Sequence, residues 1–121
     1  MGNFRVPLEI GSFDAPRFEH LDALVDTGAT YSWVPRDVLE RLGVHPEEEW
    51  PFVLADGREI KYPVASVRVR MFGRTKPTLV VFGEVGTEAL LGAYTLEGFG
   101  LAADPVNRRL FPVPALLKLA S

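Results

Sequence analysis

The tripeptide Asp26-Thr27-Gly28 is the part of this 121-residue sequence whose residue types and spacing most clearly indicate chemistry. It directly follows the apolar run 23–25, which is typical of a buried strand, so the strand would deliver a carboxylate into a tight turn. Gly28 would permit a backbone conformation that other residues rarely adopt, and its N–H would be free to approach the carboxylate. A carboxylate held in this way is a candidate for general acid–base catalysis. The same pattern also describes an Asx-type turn that only closes a strand.

Two later segments have a related composition. The tripeptide Ala55-Asp56-Gly57 lies between the apolar runs 52–54 and 60–62, and an Asp-Gly pair in that setting predicts a β-hairpin. Further along, Leu90-Leu91-Gly92 repeats the pattern of an apolar pair that runs into a glycine. Residues 93–97 then predict one helical turn closed by Gly98.

The remaining segments are typical of short strands separated by turns. Residues 4–10 alternate apolar and polar, which indicates a half-buried strand, and Pro7 predicts an edge position for it. Residues 35–43 predict a short helix that ends at Gly43. An acidic loop is predicted at 45–51. Further strands are predicted at 21–25, with both faces buried, and at 31–34, 64–72, 78–82, 101–103 and 109–111. This pattern predicts a small β-barrel or sandwich with one or two short helices.

Composition restricts the classes of protein to which the chain can belong. Its length and its hydrophobic content of 47% predict one globular domain over residues 1–121. The formal charge of −3 argues against nucleic-acid binding, and the lack of cysteine excludes disulfides and thiol catalysis. With only His20 and His45, both expected at the surface, a multi-histidine metal site is not predicted. Since no apolar run is long enough for a bilayer and no signal peptide is evident, we expect a cytoplasmic protein without a membrane partner.

Together these segments resemble the retropepsin-like aspartic proteases of clan AA, the single-lobed, homodimeric branch of the pepsin clan. The ordered features are Asp-Thr-Gly-Ala at 26–29 after an apolar run, a glycine-turned hairpin at 52–62, and Leu90-Leu91-Gly92 before a helical turn. The resemblance extends from residue 21 to the C-terminal tail. It implies a mostly β fold, namely a small closed β-barrel of the retropepsin-like acid protease type with one or two short helices. It also implies aspartic endopeptidase activity without a cofactor or a metal.

The resemblance assigns catalytic and substrate-binding roles to residues of the first turn. Asp26 corresponds to the catalytic aspartate, and Thr27 to the threonine whose hydroxyl braces the two active-site loops across the dimer. Gly28 corresponds to the glycine that packs against the carboxylate and faces the substrate. Ala29 and Thr30 correspond to substrate-binding positions, with Ala29 at the pocket wall.

The resemblance also assigns the later segments. Ala55-Asp56-Gly57 corresponds to the tip of the flap over the substrate, although an ordinary hairpin explains these residues equally well. Leu90-Leu91-Gly92 corresponds to an element that supports the aspartate loop from below. The sequence departs from retroviral members at Thr30 and Ala93, where those enzymes carry an Asp–Arg ion pair. Because both partners are absent together, no buried charge is left unpaired, which favours a bacterial-type cellular branch.

The family mechanism needs two aspartates that share one proton. The sequence contains no second Asp-Thr-Gly or Asp-Ser-Gly, since Asp56 directly precedes a glycine and Asp104 precedes a proline. A catalytic chain therefore requires a C2 homodimer with one Asp26 from each subunit. Its polypeptide substrate would lie extended beneath two hairpins.

Two other functions fit the sequence. The chain could be a catalytically weak or inactive binding or regulatory module of the same fold, because its predicted flap has one glycine where several are usual. It could also be a small β-barrel interaction domain in which Asp26 only closes a turn. Trp33 and Trp50 are interpreted as core or rim aromatics rather than ligand platforms.

Overall fold

The computed structural model describes residues 3–114, and in that range the chain forms nine β-strands and two short helices. The strands are β1 (Arg5–Gly11), β2 (Phe18–Val25), β3 (Ser32–Pro35), β4 (Glu48–Val53), β5 (Glu59–Met71), β6 (Arg74–Gly83), β7 (Leu90–Leu91), β8 (Leu101–Asp104) and β9 (Arg109–Pro112). The helices are α1 (Arg36–Arg41) and α2 (Ala93–Gly98). The fold is therefore mostly β, as the sequence predicts. Residues 1–2 and 115–121 of the predicted single domain lie outside the described range.

Seven strands pair in the order β1-β2-β7-β3-β6-β5-β4. β1 also pairs with β5, so six of these strands close into a ring, while β4 remains outside as the outer strand of the β4–β5 hairpin. β8 and β9 form a separate two-stranded sheet. β7 lies between β2, to which it is parallel, and β3, to which it is antiparallel. This insertion brings the residues that follow β2 and β7 together, although they are far apart in the sequence.

The core lies inside the ring and is formed mainly by one face of each of its six strands. Val6, Leu8 and Ile10 of β1 are buried there, which confirms the predicted alternation. Leu39 of α1 is fully buried against the same core. Gly43 has φ +76° and follows α1 in the left-handed conformation that ends many helices, as predicted.

β2 differs from its prediction in both length and burial. It begins at Phe18, and on it only Ala23 and Val25 are buried, while Leu24 is half-buried. The prediction of two buried faces is therefore wrong, since one face of β2 lies in the core and the other is only partly covered. Leu24 shares the second face with Leu90, its half-buried neighbour on β7. Leu24 on that second face, beside Leu90, explains why the run 23–25 is apolar throughout.

Two further local predictions are wrong. The segment 45–51, predicted as an acidic loop, contains the start of β4, which tolerates glutamates because it is a largely exposed outer strand. Gly98 does not close α2 but is its last residue, and Gly100, with φ +67°, follows. Pro7 does lie near an edge, in the half of β1 that precedes the pairing with β5. Within residues 3–114, no helix is long and apolar enough to cross a membrane.

Candidate active site

β2 ends at Val25 and delivers Asp26 into a turn whose backbone is held by two other segments. The N–H of Val25 donates a hydrogen bond to the Phe4 carbonyl oxygen at 2.8 Å, and the N–H of Asp26 donates one to the Leu91 carbonyl oxygen at 3.0 Å. The N–H of Ala29 donates back to the Asp26 carbonyl oxygen at 3.1 Å and closes the turn. Asp26 is half-buried. Its carboxylate is therefore positioned by the backbone and still reachable from outside.

Gly28 holds the carboxylate directly. Its backbone N–H lies 3.0 Å from Oδ1 of Asp26 and donates a hydrogen bond to it, as predicted. Gly28 does not adopt a left-handed conformation, so the prediction that the turn needs one is wrong. A Cβ at this position would lie 3.2 Å from the same carboxylate oxygen, so a side chain here would push the carboxylate by a few tenths of an ångström.

Gly92 lets the second glycine segment lie directly beneath the first. A Cβ on Gly92 would lie 2.6 Å from the carbonyl carbon and oxygen of Tyr31 and 2.9 Å from the Ala29 carbonyl oxygen, so a side chain cannot fit. The N–H of Ala93 donates to that Ala29 oxygen at 2.9 Å, and the N–H of Tyr94 donates to the Thr30 carbonyl oxygen at 2.8 Å. Where the retroviral resemblance implies an ion pair, backbone hydrogen bonds join the two segments in this chain.

Three buried hydroxyls connect β3, β6 and α2 behind this contact. The N–H of Gly92 donates to Oγ of Ser32 at 3.0 Å. Oγ1 of Thr95 lies 2.6 Å from Oγ of Ser32 and 2.8 Å from Oγ1 of Thr78. The Thr95 side chain thus satisfies two buried polar groups and fixes α2 below the Asp26 turn. Sequence reasoning missed all three hydroxyls, because isolated serines and threonines in apolar segments give no signal of their future partners.

The predicted hairpin is confirmed, and its tip forms a tight, hydrogen-bonded turn. The N–H of Leu54 donates to the Arg58 carbonyl oxygen at 2.7 Å, and Gly57 has φ +88°, which is typical of a three-residue hairpin loop. Oδ1 of Asp56 accepts the backbone N–H of Arg58 at 3.0 Å, and Oδ2 accepts Nε at 2.7 Å. These two hydrogen bonds, the backbone one first, lower the pKa of Asp56. Ala55, Asp56 and Gly57 are all exposed.

Aromatic side chains connect the base of this hairpin to β3. The ring of Trp33 lies 5.3 Å from that of Phe52 on β4 and 4.9 Å from that of Tyr62 on β5, measured between centroids. Trp50 packs 5.3 Å from Tyr31 in an edge-to-face arrangement. Both tryptophans are half-buried and pack against other aromatic rings at the rim of the core, which is the position predicted for them. The hairpin therefore covers the face of β3 that points away from the core.

A second side of the Asp26 turn borders a cavity of about 260 Å³. Phe4 lines it near the start of the described chain, and Ala103 and Pro105 line it from β8 and the following turn. Asp26 and the exposed Thr27 complete the wall. The N-terminal segment, the β8–β9 hairpin and the Asp26 turn thus meet at one place on the surface.

The structure brings most of the predicted site residues together. Asp26 to Thr30 and Leu90 to Gly92 form one hydrogen-bonded unit. The predicted flap residues Ala55 to Gly57 do not join this unit, because the hydrogen bonds of the hairpin tip lie within its own turn. His20 and His45 are exposed, as predicted. Within residues 3–114, no group of three or more metal-ligating side chains could hold a metal ion.

Comparisons with known proteins identify the family. The family model described as aspartyl protease matches residues 6–95, so the chain belongs to the aspartyl protease family. Its fold is that of the retropepsin-like members, as the solved structures show. A comparison with curated protein sequences gives no significant match.

Three solved structures illustrate the similarity of the fold. A retropepsin-like aspartic protease from Rickettsia conorii has 21% identity and a TM-score of 0.60, over 85% of this chain and 77% of that one. The retroviral protease-like domain of Ddi1 from Leishmania major has 19% identity and a TM-score of 0.63, over 93% and 89%. The EIAV protease, solved in complex with the inhibitor HBY-793, has 19% identity and a TM-score of 0.60, over 81% and 88%.

Proposed function

We propose that this protein is a homodimeric aspartic endopeptidase in which Asp26 of each subunit supplies one of two catalytic carboxylates. The observation on which the proposal rests is the geometry of the Asp26 turn. The carboxylate is held by the Gly28 N–H, the backbone is anchored by the Leu91 carbonyl, and the group is still accessible. A positioned, reachable carboxylate in an aspartyl protease domain is what acid–base hydrolysis requires.

The reaction would use the two carboxylates in opposite protonation states. Two carboxylates about 3 Å apart cannot both be ionised, so they share a proton. The ionised aspartate accepts a proton from a water molecule, whose oxygen attacks the scissile carbonyl carbon, while the protonated aspartate donates its proton to the carbonyl oxygen. A tetrahedral gem-diol forms without a covalent intermediate. When the gem-diol collapses, one aspartate donates its proton to the leaving amine and the other accepts a proton from a gem-diol hydroxyl, so the pair again holds one proton. Because the two carboxylates share this proton, their titration is a property of the pair.

One chain supplies only half of this pair, so the second Asp26 must come from a twofold-related copy. Thr27 is exposed beside Asp26, which suits a residue that contacts the partner's turn. The cavity bordered by Phe4, Ala103 and Pro105 lies on the same side. We therefore expect the N-terminal segment and the β8–β9 hairpin to lie at the dimer interface. In this proposal the ring of six strands is the closed barrel that keeps each turn in place.

The polypeptide substrate would bind between the Asp26 turn and the β4–β5 hairpin as an added extended strand. Ala29 and Thr30 would line its path on one side, and Ala55, Asp56 and Gly57 would close over it. The base of the hairpin already covers the face of β3 that points away from the core, through the contact between Trp33 and Phe52. No cofactor or metal takes part in this scheme, and a cytoplasmic location stays our expectation from the sequence.

One observation favours a second candidate, a binding module with a weak or lost catalytic step. The hairpin tip is fixed by the Asp56–Arg58 hydrogen bonds and contains a single glycine, so closure over a substrate would require this turn to move as a unit. A monomeric interaction domain is the third candidate. Sedimentation tests it, since a stable monomer cannot assemble the two-aspartate site.

Cleavage of peptides by Asp26→Asn tests the proposal. The variant should lose measurable activity while its circular dichroism spectrum and sedimentation coefficient match those of the wild type. Asp22→Asn is the matched control, because Asp22 is an exposed carboxylate on the same strand that pairs with His20. It should keep its activity, and a statine-type inhibitor should block the wild type and this control alike. Undiminished cleavage by Asp26→Asn would reject the proposal.

A further inference from the structure

We propose that the tip of the β5–β6 hairpin binds an acidic segment of another protein. Phe72 provides the apolar contact at this tip, and Arg74 and Lys76 provide the charged ones. We call these three residues the Phe72 patch, and all three are exposed. The proposal does not depend on peptidase activity, because the patch contains no residue of the Asp26 turn.

Phe72 occupies a backbone position at which a bulky residue is strained. Met71 pairs with Arg74, so Phe72 and Gly73 alone form the turn between β5 and β6. Their φ values are +51° and +74°, and two such left-handed residues are typical of a type I′ turn. Asn, Asp or Gly is favoured at the first position of this turn, whereas a positive φ is rare for a residue as large as phenylalanine. An Asn-Gly turn would therefore serve the fold better than Phe72-Gly73.

Packing within the chain does not offset this strain, because Phe72 is 64% exposed. A cavity of about 290 Å³ lies beside its ring, where β1 and the end of β5 separate, and Pro7, Leu8 and Met71 contribute to its lining. Backbone strain that the fold itself does not need is concentrated at functional sites. Aromatic side chains are also frequent anchors of protein interfaces. A partner that fills this cavity would cover the Phe72 ring from one side.

The charges around the hairpin tip favour an acidic partner. Residues 60–83 include five basic residues and no acidic one, although the whole chain has a net charge of −3. Arg74 donates to the Phe99 carbonyl oxygen at 2.7 Å, and this neutral acceptor leaves the guanidinium charge in place. No ion pair within residues 3–114 involves Arg74 or Lys76. Carboxylates of a partner would therefore find two cations that are not yet neutralised there.

A short acidic segment fits the Phe72 patch better than a membrane or a nucleic acid does. The neighbouring outer face of β1 and β2 carries the carboxylates of Glu9 and Asp22. A broad anionic surface would meet these carboxylates as well as the patch and would be repelled by them. Two cations would also release few counter-ions from a nucleic acid. A peptide segment is narrow enough to place one apolar side chain on the aromatic ring and its carboxylates beside the two cations.

Fluorescence anisotropy of a labelled peptide tests the proposal on the full-length wild-type chain. The probe is a short peptide that is rich in Glu and has one central Leu, and the same peptide with Gln in place of Glu is its control. A statine-type inhibitor is present to prevent cleavage and to occupy the proposed active site. The Glu peptide should bind at least about 10-fold more tightly than the Gln peptide, and added salt should weaken its binding.

Two pairs of variants separate binding from folding. Phe72→Asn should lower the affinity for the Glu peptide at least about 10-fold, while its urea midpoint stays the same or rises, because Asn tolerates the left-handed conformation. Phe13→Asn, at another exposed phenylalanine, is the matched control and should keep the affinity. Lys76→Glu should weaken binding roughly 3- to 10-fold. Lys61→Glu makes the same change of charge at an exposed position outside the patch and should not.

Several results would overturn the proposal. Equal affinity for the Glu and Gln peptides would remove the acidic partner, and unchanged affinity in Phe72→Asn would remove the aromatic contact. A lower urea midpoint in Phe72→Asn would mean that the ring supports the fold. Binding seen only without the inhibitor would mean that the peptide occupies the active site. Tighter binding to anionic vesicles or to duplex DNA would assign the patch to one of those partners instead. None of these results bears on the proposed role of Asp26.

Discussion

The backbone N–H of Asp26 donates a hydrogen bond to the carbonyl oxygen of Leu91 over 3.0 Å. This bond links the end of β2 to the end of β7, two parallel strands that come from distant parts of the chain. Because the anchoring group is a carbonyl oxygen of the backbone, its position depends on how closely the segment after Leu91 can approach the Asp26 turn. Gly92 permits that close approach, and the buried hydroxyls of Ser32, Thr78 and Thr95 keep the segment in place.

Gly92→Ala should destabilise the protein by about 1–3 kcal/mol, because the added Cβ would overlap the backbone of Tyr31 and Ala29. Urea denaturation measures this as a lower midpoint. Gly98→Ala is the matched control, since a Cβ there meets nothing within 4 Å and alanine favours a helix. It should leave the stability unchanged or raise it by up to about 1 kcal/mol. Similar midpoints for the two variants would contradict the close packing proposed for Gly92.

Thr95→Val should cost about 1–3 kcal/mol, because Ser32 and Thr78 would each lose a buried hydrogen-bond partner while the side-chain shape is kept. Thr75→Val, at an exposed position of β6, should change the free energy of unfolding by less than about 0.5 kcal/mol. Chemical denaturation of both variants provides the comparison. A Thr95→Val protein as stable as Thr75→Val would show that the hydroxyl cluster does not hold α2 in place.

Local patterns in the sequence were sufficient to predict much of the fold and part of the site. The alternation along β1, the Asp-Gly turn at Asp56 and the glycine after α1 each depend on residues within a few positions, and all are confirmed. The Asp26 turn was predicted on the same basis. Its hydrogen bond from Gly28 joins residues only two positions apart.

Features that depend on which strands become neighbours could not be predicted. The Ser32–Thr95–Thr78 cluster exists because β7 is inserted between β2 and β3, which local periodicity does not indicate. The strand at Glu48 was missed because pairing with β5 outweighs its charged composition. The half-covered face of β2 was misread for the same reason, since its cover comes from other strands.

Gly28→Ala should impair catalysis far more than stability. The added Cβ would lie 3.2 Å from Oδ1 of Asp26, and the carboxylate can rotate away at little cost to the fold. In the proposed peptidase this shift of a few tenths of an ångström should lower kcat/KM, by less than the roughly 100-fold loss that a displacement of about 1 Å causes. Peptide cleavage and urea denaturation should be measured on the same preparation. Full activity in Gly28→Ala, with its fold retained, would show that the Gly28 contact does not position the carboxylate.

Acid should release the tip of the β4–β5 hairpin. Folding lowers the pKa of Asp56, so its hydrogen bonds to Arg58 contribute stability above the ordinary aspartate pKa of about 3.9. That contribution is lost as the pH falls through the lowered pKa of the folded protein. The amide proton shift of Arg58, followed by NMR, should titrate with a midpoint below about 3.9, and Asp56→Ala should abolish this titration. A midpoint at or above that value would contradict the hydrogen-bonded turn.

In the proposed dimer each active site takes one Asp26 from each of two chains, and mixed dimers distinguish this arrangement from a complete site within one chain. Wild-type and Asp26→Asn chains are unfolded together, mixed in varied proportions and refolded, with Asp22→Asn in place of Asp26→Asn as the control for refolding. If a site needs both aspartates, activity should fall with the square of the wild-type fraction, so an equal mixture should retain about a quarter of the activity. Activity that falls in direct proportion to the wild-type fraction, with about half remaining in an equal mixture, would mean that a single chain holds a complete site and would rule out the shared pair of aspartates.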